Sequence, residues 1–329
     1  MSVLWCGGED IDFPTGGAVV VDTTASRFRS GYAKCSIHGA NVYLQSKAFP
    51  AGAVTSCWLS FRAYFNTTPG VNSLAAGLVN TSTPSSGLWV GVSSSSTSKL
   101  GLFTYNGTTK TQLAAEAGNS INGSTVQRID MQLVSYGATA NVYVYIDGTL
   151  VISVTSTDVT IGGLTNLNAV GVQGLQGATT FIGMSEFIVA DEDLRGFPGL
   201  VTLALTGDGT TTDWTGVYST INGTTISDAN PNYTDTNDLL QEFDVTNLPA
   251  GSFAIRAVKI AMRAAKATGT PTQIALGYNE GGTVTVEGDI ALTTAYATYE
   301  QLDLVNPRTA AAWDQSIMNA LQLTAKSRA

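Results

Sequence analysis

The sequence predicts an all-β chain made of two successive β-sandwich domains, and three observations carry that expectation. Short runs of alternating apolar and polar residues recur along the 329 residues, parted by Gly, Asn, Asp and Ser. Only 12% of the residues are charged while 43% are hydrophobic, so the surface must be tiled with Thr, Ser, Asn and Gly. That composition suits short strands and tight turns. Between positions 17 and 190 no segment holds a helical period for more than two turns.

The strands can be read in order. In WLSFRAYF, Leu59, Phe61, Ala63 and Phe65 alternate with Ser60, Arg62 and Tyr64, which puts each set on its own face. GLWVGVS follows at 87–93, and KLGLFTYNGTTKTQL breaks at Asn106-Gly107, a hairpin signal. VQRIDMQLVS sets Ile129, Met131 and Leu133 on one face and leads through YGATA into NVYVYIDGTLVISV. There Val142, Val144 and Ile146 share one face, and Asn141, Tyr143 and Tyr145 the other. Asp147-Gly148 between them suits a type I′ turn, where φ is positive at both central positions. TFIGMSEFIVA at 180–190 closes the series. Many short strands at regular spacing read as a sandwich or barrel rather than a parallel sheet.

DEDLRGFPG at 191–199 interrupts this pattern with charge, Gly and Pro, so the domains are expected at 1–196 and 197–329. The style then resumes in LVTLALTGDGTTTDW, QIALGY, TVTVEG and ATYEQLDLV. FAIRAVKIAMRAA fits two periods: Arg256, Lys259, Arg263 and Lys266 recur at helical intervals, yet Arg256, Val258, Ile260, Met262 and Ala264 also alternate. The surrounding strands favour a strand there. Near the end an Asn-Pro turn opens NPRTAAAWDQSIMNAL, Asp314 can cap a helix of about two turns, and LQLTAKS returns as the last strand.

Composition also limits function. A net charge of −9 without a basic patch excludes nucleic-acid binding through phosphate neutralisation. The opening MSVLWCGGEDIDF lacks the basic and apolar regions of a secretory leader, and no apolar run is long enough to span a membrane. The Asn-X-Ser/Thr sequons at Asn66, Asn80, Asn106, Asn122, Asn222 and Asn232 read as accidents of a Thr-rich composition. Cys6, Cys35 and Cys57 are odd in number, so at least one thiol stays unpaired or joins another chain. They read as small buried hydrophobes, with a disulfide among them or between chains as the alternative. Their spacing does not form metal-ligand pairs.

Each candidate chemistry has a plainer competitor. His38 is the single histidine, three residues from Cys35, and on a strand such neighbours face opposite sides, so a structural histidine is expected. Glycoside hydrolysis needs two carboxylates flanking a bond. The acidic clusters Glu9, Asp10, Asp12 and Asp191, Glu192, Asp193 lack the Glu-x-Asp-x-x-Glu pattern of sandwich glucanases and read as solvated loops. Asp228, Asn230, Asn232 and Asp235 are spaced like an oxygen-ligand loop, but Tyr233 stands where a hand-type calcium loop needs Gly and Leu239 where it needs Glu. Catalytic residues, metals and cofactors are therefore expected to be none. Tyr64, Tyr143 and Tyr145 fall on the polar faces of their strands, available for sugar or a partner surface unless the domain's own loops cover them.

WLSFRAYF, GLWVGV, VYVYIDGTLV and IGMSEFIVADEDLRGF together resemble the laminin-G/concanavalin-A-like domains of tailed-bacteriophage virion proteins. The resemblance covers about residues 1–196 and implies a two-sheet jelly roll. TTAYATYEQLDLVNPRTAAAWDQSIMNALQL resembles the end of a second β-domain common in phage structural proteins, through Thr294, Tyr296, Asn306, Pro307, Thr309, Ala312 and Trp313. The calcium and sugar ligands of the lectin relatives have no match at corresponding positions. The resemblance implies a non-enzymatic structural protein on the exterior of a phage particle, as decoration, collar or tail and baseplate accessory. It would dock through flat, low-charge faces onto other virion proteins in multiple copies. The alternative is a carbohydrate-binding adhesin that recognises a host surface glycan; a cell-wall glycosidase is a third reading.

Overall fold

The computed structural model describes the whole chain except positions 1, 9–11, 17–19, 22–36, 39–42, 67–69, 122, 124, 174–180, 196–198, 222–227 and 253. The chain is nearly all β and divides into two compact units, Met1–Leu200 and Val201–Ala329.

In the first unit the strands are β1 (Val3–Gly7), β2 (Thr15–Gly16), β3 (Val20–Val21), β4 (Ile37–His38), β5 (Tyr43–Gln45), β6 (Cys57–Asn66), β7 (Ser73–Asn80) and β8 (Thr83–Val92). They continue as β9 (Leu100–Tyr105), β10 (Lys110–Ala115), β11 (Val126–Val134), β12 (Ala140–Ile146), β13 (Thr149–Thr157), β14 (Ala169–Gln173) and β15 (Phe181–Ala190). Among the described residues they form two antiparallel sheets. The larger runs β13-β12-β11-β6-β15-β4-β3 with β1 added against β15; the smaller runs β10-β9-β8-β7-β14-β5-β2. This is the expected jelly-roll sandwich.

The alternation read from the sequence decides what lies between the sheets. Leu59, Phe61, Ala63 and Phe65 of β6, Ile129, Met131 and Leu133 of β11, and Val142, Val144 and Ile146 of β12 all enter one core. They meet Leu78, Leu88, Val90 and Leu102 from the smaller sheet. Trp5, Phe13, Phe187 and Phe61 form a chain of edge and stacked ring contacts there. Each fully buried aliphatic or Phe side chain contributes about 1.5–3 kcal/mol to folding. Asp147 and Gly148 hold φ of 48° and 82°, the mirror-image turn their identities anticipate.

The second unit holds β16 (Leu205–Thr212), β17 (Leu240–Val245), β18 (Val258–Ala264), β19 (Gln273–Glu280), β20 (Thr283–Val286), β21 (Ile290–Ala291), β22 (Ala297–Asp303), α1 (Gln315–Met318) and β23 (Leu321–Arg328). One sheet runs β16-β17-β23-β19-β20, with β21 on β19, and β18 pairs with β22 in a separate ribbon. Ile260 and Tyr299 from the ribbon and Ile274, Leu276, Tyr278 and Ala325 from the sheet share a second core. Within the ambiguous FAIRAVKIAMRAA segment Val258–Ala264 is a strand, as favoured, and alternation lets Ile260 enter this core. The helix is shorter than expected: Asp314 caps it by accepting from the Ser316 amide, but only one turn forms before Leu321 joins the sheet.

Candidate functional site

The outer face of the larger sheet in the first unit carries a cluster of buried polar and charged side chains. Because Leu59 and Phe61 point into the core, Trp58, Ser60 and Arg62 of β6 point away from it. The same pleat turns Arg128 and Asp130 outward on β11, and Tyr143 and Tyr145 on β12. Ladder pairing then sets Asp130 opposite Ser60 on one side and Tyr145 on the other. Arg128 Nε donates to Asp130 Oδ1 at 2.9 Å and to Ser60 Oγ at 3.1 Å. Arg62 Nε donates to Glu186 Oε2 of β15 at 3.0 Å.

These groups are not solvated surface charges. Asp130, Ser185 and Glu186 are buried, and Asp130 Oδ2 and Ser185 Oγ make no hydrogen bond among the described residues. Buried polar atoms left unpaired cost about 1–3 kcal/mol each and are rare in folded chains. Two on one sheet face mark it as the candidate site.

The segment after β15 lies over this face. Asp191 Oδ1 accepts the Ser2 amide at 2.7 Å, and the fully buried Leu194 receives Arg128 Nη2 on its carbonyl oxygen. Arg195 then places its guanidinium carbon 4.6 Å from the Tyr145 ring centre and 5.3 Å from that of Trp58, a cation–π arrangement. The two rings stack on each other at 5.7 Å and 25°. Asp193 holds the same guanidinium at 2.6–3.0 Å, and that hydrogen bond keeps its carboxyl below the ordinary carboxylate value. Tyr145, expected on an open polar face, is therefore only 7% exposed. Tyr64 and Tyr143 are half-buried.

The outer face of the smaller sheet is closed by apolar packing instead. Trp89 of β8 lies across glycines of the next two strands on one side, β7 and β14: a Cβ on Gly77 would meet its ring at 2.8 Å and one on Gly171 at 2.6 Å. Phe103, Leu74, Val79 and Ala169 pack with it, Tyr43 caps it edge-on at 6.0 Å, and its indole N–H donates to the Ser85 carbonyl. Trp89 and Phe103 are fully buried. Parts of the flat faces that the sequence suggested for docking are thus covered from within the first unit, at Trp58 and Tyr145 on the larger sheet and at Trp89 and Phe103 on the smaller.

Other residues singled out by the sequence have structural partners. Cys57 is a free thiol in the core, pushed up to about 12 by burial, and Cys6 is buried; Cys35 lies outside the described residues, as do Glu9 and Asp10. His38 belongs to β4. Asp12 accepts the Gly8 amide at 2.7 Å. Of the calcium-like loop, Asp228 is held bidentately by Arg263 at 2.7 Å, Asn232 accepts from Thr220 and Asp235 from Thr236. Among the described residues no group of three His, Cys, Asp or Glu is placed to hold a metal, and no helix is long and apolar enough to cross a membrane.

The turn-and-Trp pattern is also architectural. Buried Asn306 accepts the amides of Arg308 and Thr309 and donates to Glu280 Oε1 at 2.7 Å. Trp313 packs edge-on against Tyr278 at 5.1 Å and donates to the Asp303 carbonyl. Burial and the neighbouring Asp303 carboxylate push the Tyr278 phenol far above its usual value.

Sequence reasoning missed the site residues Trp58, Asp130, Ser185, Glu186 and Arg195. A signal existed: in a chain with 12% charged residues, Arg62, Arg128, Asp130 and Glu186 all sit inside strands.

No family model and no curated protein matches the chain. Solved structures similar to it include the carbohydrate-binding module CBM66 from Bacillus subtilis, 10% identical over 54% of this chain and 97% of that one, with a TM-score of 0.37. The binding domain of Paraclostridial Mosquitocidal Protein 1 is 13% identical over 59% of this chain and 49% of that one, TM-score 0.37. Endo-β-1,4-glucuronan lyase from the fungus Trichoderma reesei is 11% identical over 59% and 98%, TM-score 0.37. This chain thus spans about half of the mosquitocidal binding domain's length. At such identities and scores the likeness assigns neither ligand nor activity.

Proposed function

We propose that the chain is a non-enzymatic carbohydrate-binding protein whose first unit takes sugar at the outer face of the larger sheet, and that it works on the exterior of a tailed-phage particle. One observation carries the binding reading: two stacked aromatic rings lie beside a fully buried carboxylate oxygen with no hydrogen bond among the described residues. Sugars need both parts, a flat apolar surface for their C–H face and fixed polar atoms for their hydroxyls. The phage setting rests on the resemblance of the strand motifs and the Asn306–Trp313 turn.

A non-catalytic role suits the two carboxylates on this face. Asp130 and Glu186 are each engaged by an arginine within 3.0 Å, which knits the sheet together rather than leaving an acid and a base on either side of a bond. The test is binding of the full chain to a printed panel of neutral, sialate-bearing and uronate-bearing oligosaccharides, with reducing-end release measured in parallel. Binding that Trp58→Ala removes, without release, supports the reading; release of sugar refutes its non-enzymatic part.

A second reading, a structural virion component held by protein contacts, is favoured by one feature of the second unit. Val217, Ile221 and Tyr233 are exposed there, Tyr233 at 60%, and Thr215 pairs with Tyr233 through mutual backbone hydrogen bonds. Exposed apolar side chains with few charges make a low-cost contact surface. Stoichiometry and position in a reconstruction of intact particles, with loss of incorporation in a Tyr233→Asp variant, distinguish the two.

A further inference from the structure

We infer that Arg195 is a built-in occupant of the sugar platform, holding over Trp58 and Tyr145 the place that a neutral pyranose takes on binding. The inference rests on the carbohydrate-binding reading and adds the class of sugar and the way the site is kept closed.

Trp58 and Tyr145 present one broad aromatic surface, yet they are only 6% and 7% exposed beneath a guanidinium that lies within cation–π distance of both. Its hold is weak in kind. The Arg195 and Asp193 side chains are 40% and 44% exposed, and ion pairs this wet contribute little to stability. The Arg195 side chain can swing out with its backbone in place, because Leu194 stays buried with Arg128 on its carbonyl.

What would be uncovered selects the ligand. Asp130 stands opposite Tyr145 in the ladder and Arg195 lies over the Tyr145 ring, which places the Asp130 carboxylate beside the platform. Asp130 Oδ2 is an acceptor with no donor among the described residues, and a sugar hydroxyl donates to such an oxygen. When Arg195 and Asp193 move off together, Arg62 remains tied to Glu186 and Arg128 to Asp130. A sialate or uronate carboxylate would meet Asp130 without a spare cation, on a chain whose net charge is −9. A neutral hexopyranose meets an aromatic face and an acceptor.

The experiment compares wild type, Arg195→Ala, Asp193→Asn and Trp58→Ala as full chains on the same panel, after circular dichroism has established that each is folded. Arg195→Ala is expected to bind neutral oligosaccharides about two- to fivefold more tightly than wild type, the factor matching one exposed cation–π contact. Asp193→Asn should move in the same direction by less, and Trp58→Ala should abolish binding. Acrylamide quenching without sugar should rise in Arg195→Ala and lose that rise when Trp58→Phe is added. Unchanged or weaker neutral-sugar binding by Arg195→Ala overturns the occupant role and leaves the binding reading standing. Binding confined to sialate- or uronate-bearing glycans overturns the ligand class. No binding by any variant overturns the carbohydrate-binding reading, and this inference with it. If Arg195→Ala does not fold, Asp193→Asn decides on the same criterion.

Discussion

Replacing Asn306 by alanine tests whether the turn-and-Trp pattern is architecture. The side chain is fully buried and makes three hydrogen bonds: it accepts from Arg308 N at 2.8 Å and Thr309 N at 3.2 Å, and donates to Glu280 Oε1 at 2.7 Å. A neutral bond contributes about 0.5–1.5 kcal/mol and one to a charged group about 1.5–3 kcal/mol. The longer bond belongs at the low end, and Arg308 still lies 3.7 Å from Glu280, so the expected loss is about 3–4 kcal/mol. Because the chain has two units, one melting curve is not a clean measure. Hydrogen exchange of peptides from 273–329 in the full chain, followed through a urea series, reports the second unit alone. Asn306→Asp keeps the acceptor but sets a second carboxylate against Glu280, so it should cost at least as much at neutral pH and recover in acid. A loss below about 1 kcal/mol for Asn306→Ala would show that the turn holds itself without this side chain.

Three further outcomes follow from local geometry. Gly148→Ala meets nothing within 4 Å but must hold φ of +82°, so it should cost about 1–2 kcal/mol through backbone strain alone, read as a lower midpoint for the first unit. Gly171→Ala has the opposite origin: its Cβ would sit 2.6 Å from the Trp89 ring, and overpacking should cost about 1–3 kcal/mol and change indole fluorescence. Cys57 should resist iodoacetamide at pH 8 in the native chain and react once unfolded, since burial pushes its thiol up to about 12. The sign for stability is set by the same shift: the unfolded thiol ionises first, so stability is lost as pH rises from about 9 toward 12, which a Cys57→Ala comparison should reveal.

Period-two alternation was enough to place Leu59, Phe61, Ile129, Met131, Val142 and Val144 in one core, because a strand has only two faces. It could not say what covers the other face. Tyr143 and Tyr145 are equivalent in the pattern, yet Tyr145 is buried under an arginine 50 positions later while Tyr143 is half-buried. The Arg62–Glu186 pair joins residues 124 apart, so a charge inside each strand is visible locally but its partner is not. Asp314 announced a helix start, but its length was set by the sheet that takes up Leu321. Trp89 looked like one more strand aromatic; the glycines beneath it, spread over two other strands, are what let it lie flat.

The register of β15 against β6 skips between Ser185 and Ile188, and Glu186 sits there with φ of 53°. A bulge of this kind adds one residue to a strand, bending it locally while the pairing resumes on either side. Met184 and Val189 still reach the core, while Ser185 and Glu186 in succession leave it, Glu186 to meet Arg62 and Ser185 beside Gly8. The extra residue lets the strand show two successive polar side chains on its outer side and resume its apolar alternation at Phe187, so the sandwich gains an outer charge pair while Met184, Phe187 and Val189 keep their places inside.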